Sequence, residues 1–233
     1  MGKASELVRT DLVKTDLVKT EAVKNRRIIG LTGGIATGKS TASNYLASQY
    51  GLPILDADVY ARQAVEKGSE ILDAIAHRYG AAILLPDGAL NRKQLGSIIF
   101  QDAAEKQWIE AQIHPFVRAQ FANATEMFPS AQTLVYSIPL LFEANLTHLV
   151  TEIWVIYCHP AQQKQRLMQR NQLSETAASA RINSQMDLKQ KCEQADYIID
   201  NTTTTRNLFI QIDRTMSSSS RQSNRPATSI VRS

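Results

Sequence analysis

The stretch that decides the fold is Gly33-Gly34-Ile35-Ala36-Thr37-Gly38-Lys39-Ser40, which matches the pattern GxxxxGK[ST]. An apolar run, 28–32, precedes it and a helix-forming stretch follows it, which is the strand–loop–helix context of a phosphate-binding loop. Its glycines let backbone N–H groups turn toward an anion, and the helix N-terminus adds positive potential. In this pattern Lys39 reaches the β- and γ-phosphates and the Ser40 hydroxyl binds Mg²⁺. The stretch therefore predicts a site for a nucleoside triphosphate.

Short apolar runs and helical patterns alternate along the rest of the chain. The predicted strands are 28–32, 53–55, 133–137, 153–158 and 197–199. The predicted helices are 39–49, 57–67, 70–79, 91–99, 102–128, 160–186 in pieces, and 204–216. This order favours an α/β fold, a three-layer arrangement with a five-stranded parallel sheet.

Two segments extend this framework. The gap between the second and third strands is far longer than one crossover helix needs, which predicts a helical, acceptor-binding insertion at about 60–130. The polar, arginine-bearing helices at about 160–190 are typical of a mobile lid.

Composition and charge exclude several classes of protein. The net charge of +4 comes from the two ends, because residues 26–216 hold 18 basic and 18 acidic side chains. A nucleic-acid partner is therefore not expected, since such a protein carries its basic surplus on a folded face. No apolar run approaches the length of a membrane helix, and Cys158 and Cys192 are expected to be reduced thiols. These features are typical of a cytoplasmic protein with no membrane partner.

The two ends differ from the body of the chain. Residues 1–25 repeat a five-residue unit that matches neither helix nor strand periodicity, so we predict a flexible extension over 1–26. The serine-rich end, 217–233, is predicted to be disordered. The domain that carries the chemistry is then 27–216.

The acids that follow the second predicted strand narrow the class of nucleotide-binding protein. The chain has no Asn-Lys-x-Asp guanine reader and no apolar run that ends in consecutive acids, which argues against GTPases and motor ATPases. Asp56 and Asp58 instead lie at the sheet edge that holds the phosphate loop. An aspartate here could accept a hydrogen bond from an attacking hydroxyl, as a small-molecule kinase requires. The alternative interpretation is that the aspartate is the N-cap of the next helix. Both readings stay open, one for each aspartate.

Six motifs in this order resemble the dephospho-coenzyme A kinase family over about 27–215. They are 30–40 with the phosphate loop, Asp56-Ala-Asp58 with Ala61-Arg62, Ile113-His114-Pro115, Pro139-Leu-Leu-Phe-Glu143, Arg166-Leu-Met-Gln-Arg170-Asn171, and Ala195-Asp196 leading to Asp200-Asn201. Thr37 stands where the family often has serine, and both keep a hydroxyl. The resemblance implies an ATP-dependent phosphotransferase that moves the γ-phosphate to the ribose 3′-hydroxyl of dephospho-coenzyme A, with Mg²⁺ accompanying ATP.

The resemblance also implies a role for each site residue. Asp58 is the catalytic base, and it binds the acceptor together with Arg62 and His114. Catalysis further involves Lys39 and two lid arginines, Arg166 and Arg170, for which a solvated basic face is the alternative. The nucleotide contacts implied are Gly34, Ile35, Ala36, Thr37, Gly38, Lys39, Ser40, Thr41 and Asn201.

Two other functions remain open from the residues alone. One is a different small-molecule kinase of the same fold, which would differ mainly in the insertion that reads the acceptor. The other is a non-catalytic ATP-binding module that uses the repeat as an interaction arm, against which the intact Lys39, Ser40 and Asp58 count. The oligomeric state is left open.

Overall fold

The computed structural model describes residues 26–222, so residues 1–25 of the predicted extension 1–26 and residues 223–233 of the predicted tail lie outside the described residues. Five strands form one sheet in the order β2-β3-β1-β4-β5. They are β1 (Ile28–Gly33), β2 (Ile54–Asp56), β3 (Leu134–Ser137), β4 (Glu152–Tyr157) and β5 (Tyr197–Asp200). Strand β1 pairs in parallel with β3 and β4, and β4 pairs in parallel with β5. The predicted five-stranded parallel sheet is confirmed.

Nine α-helices connect the strands in the part of the chain that the structure describes. They are α1 (Lys39–Tyr50), α2 (Ala57–Gln63), α3 (Glu70–Tyr79), α4 (Arg92–Gln101), α5 (Ala103–Glu126), α6 (Pro160–Asn171), α7 (Glu175–Asn183), α8 (Leu188–Glu193) and α9 (Thr205–Gln222). Short 3₁₀ turns occupy Ala81–Ile83 and Thr147–Leu149.

The central strand β1 positions the phosphate loop. All six of its residues are buried, as an apolar strand between two neighbours requires. In the parallel register Leu31 lies opposite Ser137 on β3 and Trp154 on β4. The carboxyl ends of these three strands therefore meet at one edge, where β1 continues into the loop.

The described residues fall into two compact units. The helical unit comprises 26–27 and 55–132, and the sheet unit comprises 28–54 and 133–222. The core of the helical unit is built from α2 to α5 around the buried Ile75, Ile83 and Ile109. The core of the sheet unit packs α1 and α9 on the sheet around the buried Trp154, with Leu46 from α1.

Helix α5 is the 24-residue helix of the helical unit and contains Pro115. Asp102 caps its N-terminus by accepting from the backbone N–H groups of residues 104 and 105. At the other end the buried Arg26 donates to the carbonyl oxygens of Thr125 at 2.7 Å and Phe128 at 2.8 Å. A guanidinium at this position donates to carbonyls at the C-terminal end of the helix and complements its dipole. Arg26 thus fixes the start of the described chain to the end of α5.

Helix α9 docks on α1 through one shared acceptor. The hydroxyl groups of Tyr45 and Tyr50 donate to the same oxygen of Asp213, at 2.9 and 2.8 Å. Tyr45 also stacks on Phe209 with ring centroids 3.9 Å apart. Burial, followed by the hydrogen bond to Asp213, raises the pKa of Tyr50 to about 12, and the hydrogen bond to Asp213 is the main cause that raises the pKa of Tyr45.

Three helix boundaries differ from the sequence-based prediction. Helix α2 ends at Gln63 rather than 67, where the chain turns toward Gly68 with φ 80°. Helix α8 was not predicted, because six residues capped by Asp187 are too few to show helical periodicity. Helix α9 continues to Gln222, past residue 217, where the predicted tail begins. The hydroxyl of Ser217 donates to the carbonyl of Asp213 at 2.8 Å, so a serine run here is compatible with a helix.

Two predictions from composition can be compared with the structure. Both cysteines are free thiols, with Cys158 buried and Cys192 partly buried. Among the described helices, none combines the length and the apolar character that crossing a bilayer requires.

Replacement of Asp213 by asparagine is expected to make both tyrosines ionise at lower pH, because the carboxylate destabilises a nearby tyrosinate. A folded-state pKa above the ordinary value of 10.0 means that this contribution to stability is fully present below pH 10 and is lost as the pH rises through about 12. Tyrosinate absorbance against pH measures the change. The exposed Glu193→Gln serves as the control, and an unchanged titration in Asp213→Asn would refute the shared-acceptor account.

Replacement of Arg26 by alanine is expected to lower the free energy of unfolding by about 2–3 kcal/mol, because two carbonyl oxygens at the end of α5 lose a charged donor. The denaturant midpoint measures this loss. Arg118→Ala, which removes an exposed arginine from the same helix, is expected to change stability far less. Equal effects of the two changes would mean that Arg26 does not anchor the helix.

Candidate active site

The phosphate loop leaves β1 and enters α1 without a side-chain cap. The N-cap is Gly38 with φ 105°, a left-handed conformation that glycine adopts without steric cost. Thr37 stabilises the turn from inside, since its N–H and its hydroxyl both donate to the carbonyl of Gly34, at 3.2 and 2.9 Å. Helix α1 begins at Lys39, and the N–H groups of its first turn point back toward the loop. This arrangement favours an anion at the loop.

The side chain of Lys39 extends to the neighbouring strand. Its ammonium group donates to the hydroxyl of Ser137, which is buried at the carboxyl end of β3. Ser40 and Thr41, the next two residues of α1, are exposed at the helix start. The structure therefore places a cation and the hydroxyl group of Ser137 together at the end of β3, with the hydroxyl groups of Ser40 and Thr41 at the start of α1.

Asn201, which follows β5, lies directly against the loop. It is buried, and its side-chain amide donates to the carbonyl of Thr37 at 2.8 Å. A Cβ atom at Gly38 would collide with that amide nitrogen, so glycine is required there for space as well as for its φ angle. The predicted nucleotide-binding residue Asn201 is thus a neighbour of the loop backbone.

The two arginines of α6 have different surroundings. Arg166 is partly buried and donates to the carbonyl of Asn201 at 3.2 Å. Burial raises the pKa of the neighbouring Cys158 thiol, and Arg166 partly offsets that shift. Arg170 is exposed and donates to the Asn171 side chain at 2.9 Å. Only Arg166 is therefore held next to a residue that contacts the loop.

The helical unit holds the acids and bases assigned to the acceptor. Asp56 caps α2, accepting from the N–H of Asp58 at 2.8 Å, so the N-cap reading applies to Asp56. Asp58 is exposed in the first turn of α2, and Arg62 is exposed in its last turn. The backbone carbonyl of Arg62 accepts from Arg92 at 3.4 Å.

His114 lies in the middle of α5 and is partly buried. Burial is the main cause that lowers its pKa below 6.5, Arg118 lowers it further, and Glu110 partly opposes the shift. The lowered pKa favours the neutral form of the imidazole. A neutral ring offers one hydrogen-bond donor and one acceptor rather than a charge.

Sequence reasoning missed three polar residues of the sheet unit that contact the loop. Ser137 accepts from Lys39, and Gln163 and Gln185 bind the backbone of Ile35. The position of Ser137 at the end of a strand next to β1 was a usable signal. The two glutamines gave none, because glutamine in a polar helical segment is ordinarily exposed.

Within 26–222, no cluster of three or more His, Cys, Asp or Glu side chains is placed to hold a metal ion. Mg²⁺ in nucleotide enzymes ordinarily uses one or two protein oxygens together with substrate phosphates and water. The exposed Ser40 hydroxyl at the start of α1 fits that mode of binding.

Comparison with known proteins finds a matching family model and similar sequences. The family model described as dephospho-CoA kinase matches residues 27–207. A dephospho-CoA kinase of Trichormus variabilis is 58% identical over 188 residues, which cover 81% of this chain and 95% of that protein. One of Synechocystis is 58% identical over 187 residues, which cover 80% and 93%.

Solved structures agree in fold. A Thermus thermophilus protein matches with a TM-score of 0.74 at 27% identity, covering 83% of this chain and 97% of that one. The dephospho-CoA kinase of Campylobacter jejuni matches with a TM-score of 0.61 at 29% identity, covering 84% and 98%. A matching family model over most of the chain, close relatives of nearly full length and a shared fold lead to one conclusion: the chain belongs to the dephospho-CoA kinase family.

Proposed function

We propose that this chain transfers the γ-phosphate of ATP to the ribose 3′-hydroxyl of dephospho-coenzyme A, which yields coenzyme A. The observation that carries the proposal is the phosphate loop at the end of β1, with Lys39 extended to Ser137, in a chain of this family. Phosphoryl transfer needs little covalent help from the protein, since alignment of the reactants and neutralisation of charge supply most of the rate. The site residues divide into those that hold ATP and those that hold the acceptor.

The loop from Gly34 to Thr41 binds the triphosphate. Its support is the helix start at Lys39 and the left-handed turn at Gly38, which together direct backbone N–H groups toward an anion. The Lys39 ammonium group neutralises charge on the terminal phosphates. Ser137 holds that ammonium group on the sheet side, which limits its conformations before ATP binds. Asn201 supports the loop through Thr37 while contributing to the nucleotide site.

Ser40 is the residue that would hold Mg²⁺, which arrives with ATP. The ion supplies neutralisation of phosphate charge when it is bound. A single protein hydroxyl is sufficient, because the phosphates and water provide the other oxygens.

The arginines of α6 supply further positive charge, and α6 and α7 act as the lid. Arg166 is the better pre-positioned of the two, since it already donates to Asn201. Arg170 is exposed, so it has to move or be covered as the lid closes on the triphosphate. Two cations four residues apart repel each other, and the triphosphate provides the anion that relieves this repulsion.

Asp58, Arg62 and His114 serve the acceptor. Asp58 orients the ribose hydroxyl and takes its proton late in the transfer, because a carboxylate is too weak a base to ionise it beforehand. Arg62 follows Asp58 by one helical turn on α2 and suits an anionic group of dephospho-coenzyme A. His114, whose pKa is lowered mainly by burial, contributes a hydrogen bond to the acceptor.

An acceptor panel tests the proposed reaction. ADP release is measured with ATP and Mg²⁺ alone, with dephospho-coenzyme A, and with unrelated alcohols and nucleosides. We expect ADP release to depend on dephospho-coenzyme A. Faster turnover with another acceptor would indicate a different small-molecule kinase, and ATP binding without turnover would indicate a non-catalytic module.

Replacement of Lys39 by alanine is expected to reduce kcat by at least about 100-fold, because the transition state loses a charge placed at the terminal phosphates. The melting temperature is expected to change little, since Lys39 lies on the loop rather than in a core. Turnover and thermal melting are compared with Lys189→Ala, which removes an exposed lysine from α8. Turnover within tenfold of the unmodified chain would refute the role given to Lys39.

Replacement of Asp58 by asparagine is expected to preserve ATP binding and lower kcat by about 100-fold or more, because asparagine keeps the shape but cannot accept the proton. Asp56→Asn is the matched control, since asparagine also caps helices well and Asp56 acts as the cap of α2. Calorimetry with ATP and steady-state turnover give the two readouts. If Asp58→Asn retains more than about a tenth of the turnover, Asp58 is not the base.

A further inference from the structure

The backbone of Ile35 is held on both sides by side-chain amides. Its N–H donates to the Oε1 atom of Gln185 at 2.8 Å. Its carbonyl oxygen accepts from the Nε2 atom of Gln163 at 2.9 Å. The peptide groups on either side of this loop residue are therefore fixed in orientation by two glutamines, which we call the Ile35 clamp.

The clamp joins the loop to both ends of the segment proposed as the lid. Gln163 lies in the first turns of α6 and is 3% exposed. Gln185 follows the C-terminus of α7 at Asn183. The residues between them include Arg166 and Arg170. A displacement of this segment from the loop at either end would break one of the two hydrogen bonds.

The position of Gln185 is itself fixed by an ion pair whose lysine is buried. The N–H of the next residue, Met186, donates to Oε1 of Glu143 at 2.9 Å. The same oxygen lies 2.8 Å from the ammonium group of Lys191, which is fully buried and also donates to the carbonyl of Pro139 at 3.0 Å. Charged groups at this depth are found paired and hydrogen-bonded, which makes their arrangement specific. Gln185 is thus attached, through Met186, to the segment of the sheet unit that contains Pro139 and Glu143.

The loop residues next to Ile35 depend on this arrangement. A Cβ atom at Gly34 would collide with the amide nitrogen of Gln163, so Gln163 packs closely on the loop backbone. Ala36 has φ 61°, a left-handed conformation that residues other than glycine rarely adopt. The fixed peptide of Ile35 immediately precedes this strained residue.

We infer that Gln163 and Gln185 are positioning residues for phosphoryl transfer, which hold the phosphate loop through Ile35 and connect it to the lid. The inference rests on the proposed function for its kinetic consequences. Loss of either glutamine leaves the loop free to adopt other conformations, so a smaller fraction of the protein is ready to bind ATP. Apparent affinity falls in proportion to that fraction.

The test uses the full chain and the variants Gln163→Ala, Gln185→Ala and Gln185→Glu. Hydrogen exchange of the Ile35 amide is followed by NMR, and the KM for ATP and kcat are measured with dephospho-coenzyme A. Gln185→Ala is expected to speed exchange at Ile35 about five- to tenfold, as the loss of one hydrogen bond predicts. Gln185→Glu keeps an acceptor at the same place and is expected to preserve the protection. Both alanine variants are expected to raise the KM for ATP about five- to tenfold.

Gln165→Ala is the matched control, because Gln165 is an exposed glutamine of the same helix α6. It is expected to leave both exchange at Ile35 and the KM for ATP unchanged. Unchanged exchange in Gln185→Ala, or loss of protection in Gln185→Glu equal to that in Gln185→Ala, would overturn the inference. So would a KM for ATP that rises equally in Gln165→Ala.

Failure of the proposed function gives a different result. In that case the unmodified chain and Gln165→Ala would both lack turnover dependent on dephospho-coenzyme A. Calorimetric ATP affinity and hydrogen exchange at Ile35 would still show whether the Ile35 clamp holds the loop. If Gln163→Ala does not fold, the comparison of Gln185→Ala with Gln185→Glu tests the inference. These variants are expected to fold because Gln185 is only partly buried.

Discussion

The rest of the structure depends on the backbone turn that takes the chain from β1 to α1. Strand β1 is buried and paired on both edges, so its carboxyl end opens beside those of β3 and β4. The turn through Gly38 lets α1 begin at once, which directs its N-terminal N–H groups toward the loop. The ammonium group of Lys39 donates to the hydroxyl of Ser137 at the end of the neighbouring strand β3. Phosphate binding follows from this geometry.

Polar side chains behind the loop complete what the turn begins. Asn201 binds the carbonyl of Thr37, and the two glutamines bind the peptide groups of Ile35. The ion pair between the buried Lys191 and the partly buried Glu143 supports one of those glutamines. A pair of this kind contributes little net stability, because removing both charges from water costs about as much as their attraction returns. Its value here is a defined position for the segment that follows α7.

The sequence predicted the strands well because each is a short apolar run buried in a parallel sheet, and the loop pattern identified the central one. It also offered two roles for the acids after β2, and the structure gives the cap to Asp56. The contacts of Gln163, Gln185 and Lys191 were beyond sequence reasoning, since these residue types are ordinarily exposed and their partners are far away in the chain. Helix α8 and the end of α9 were missed because neither has an apolar periodicity that distinguishes it from a polar loop.

Positional analysis of the product tests most directly whether the chain transfers the γ-phosphate of ATP to the ribose 3′-hydroxyl. ATP that carries an isotopic label in its γ-phosphate is turned over with dephospho-coenzyme A, and the labelled product is examined by phosphorus and proton NMR. We predict that the label appears on the ribose 3′-oxygen of coenzyme A, with one ADP formed for each label transferred. A label found only in inorganic phosphate, or on any other hydroxyl group of the acceptor, would contradict the account.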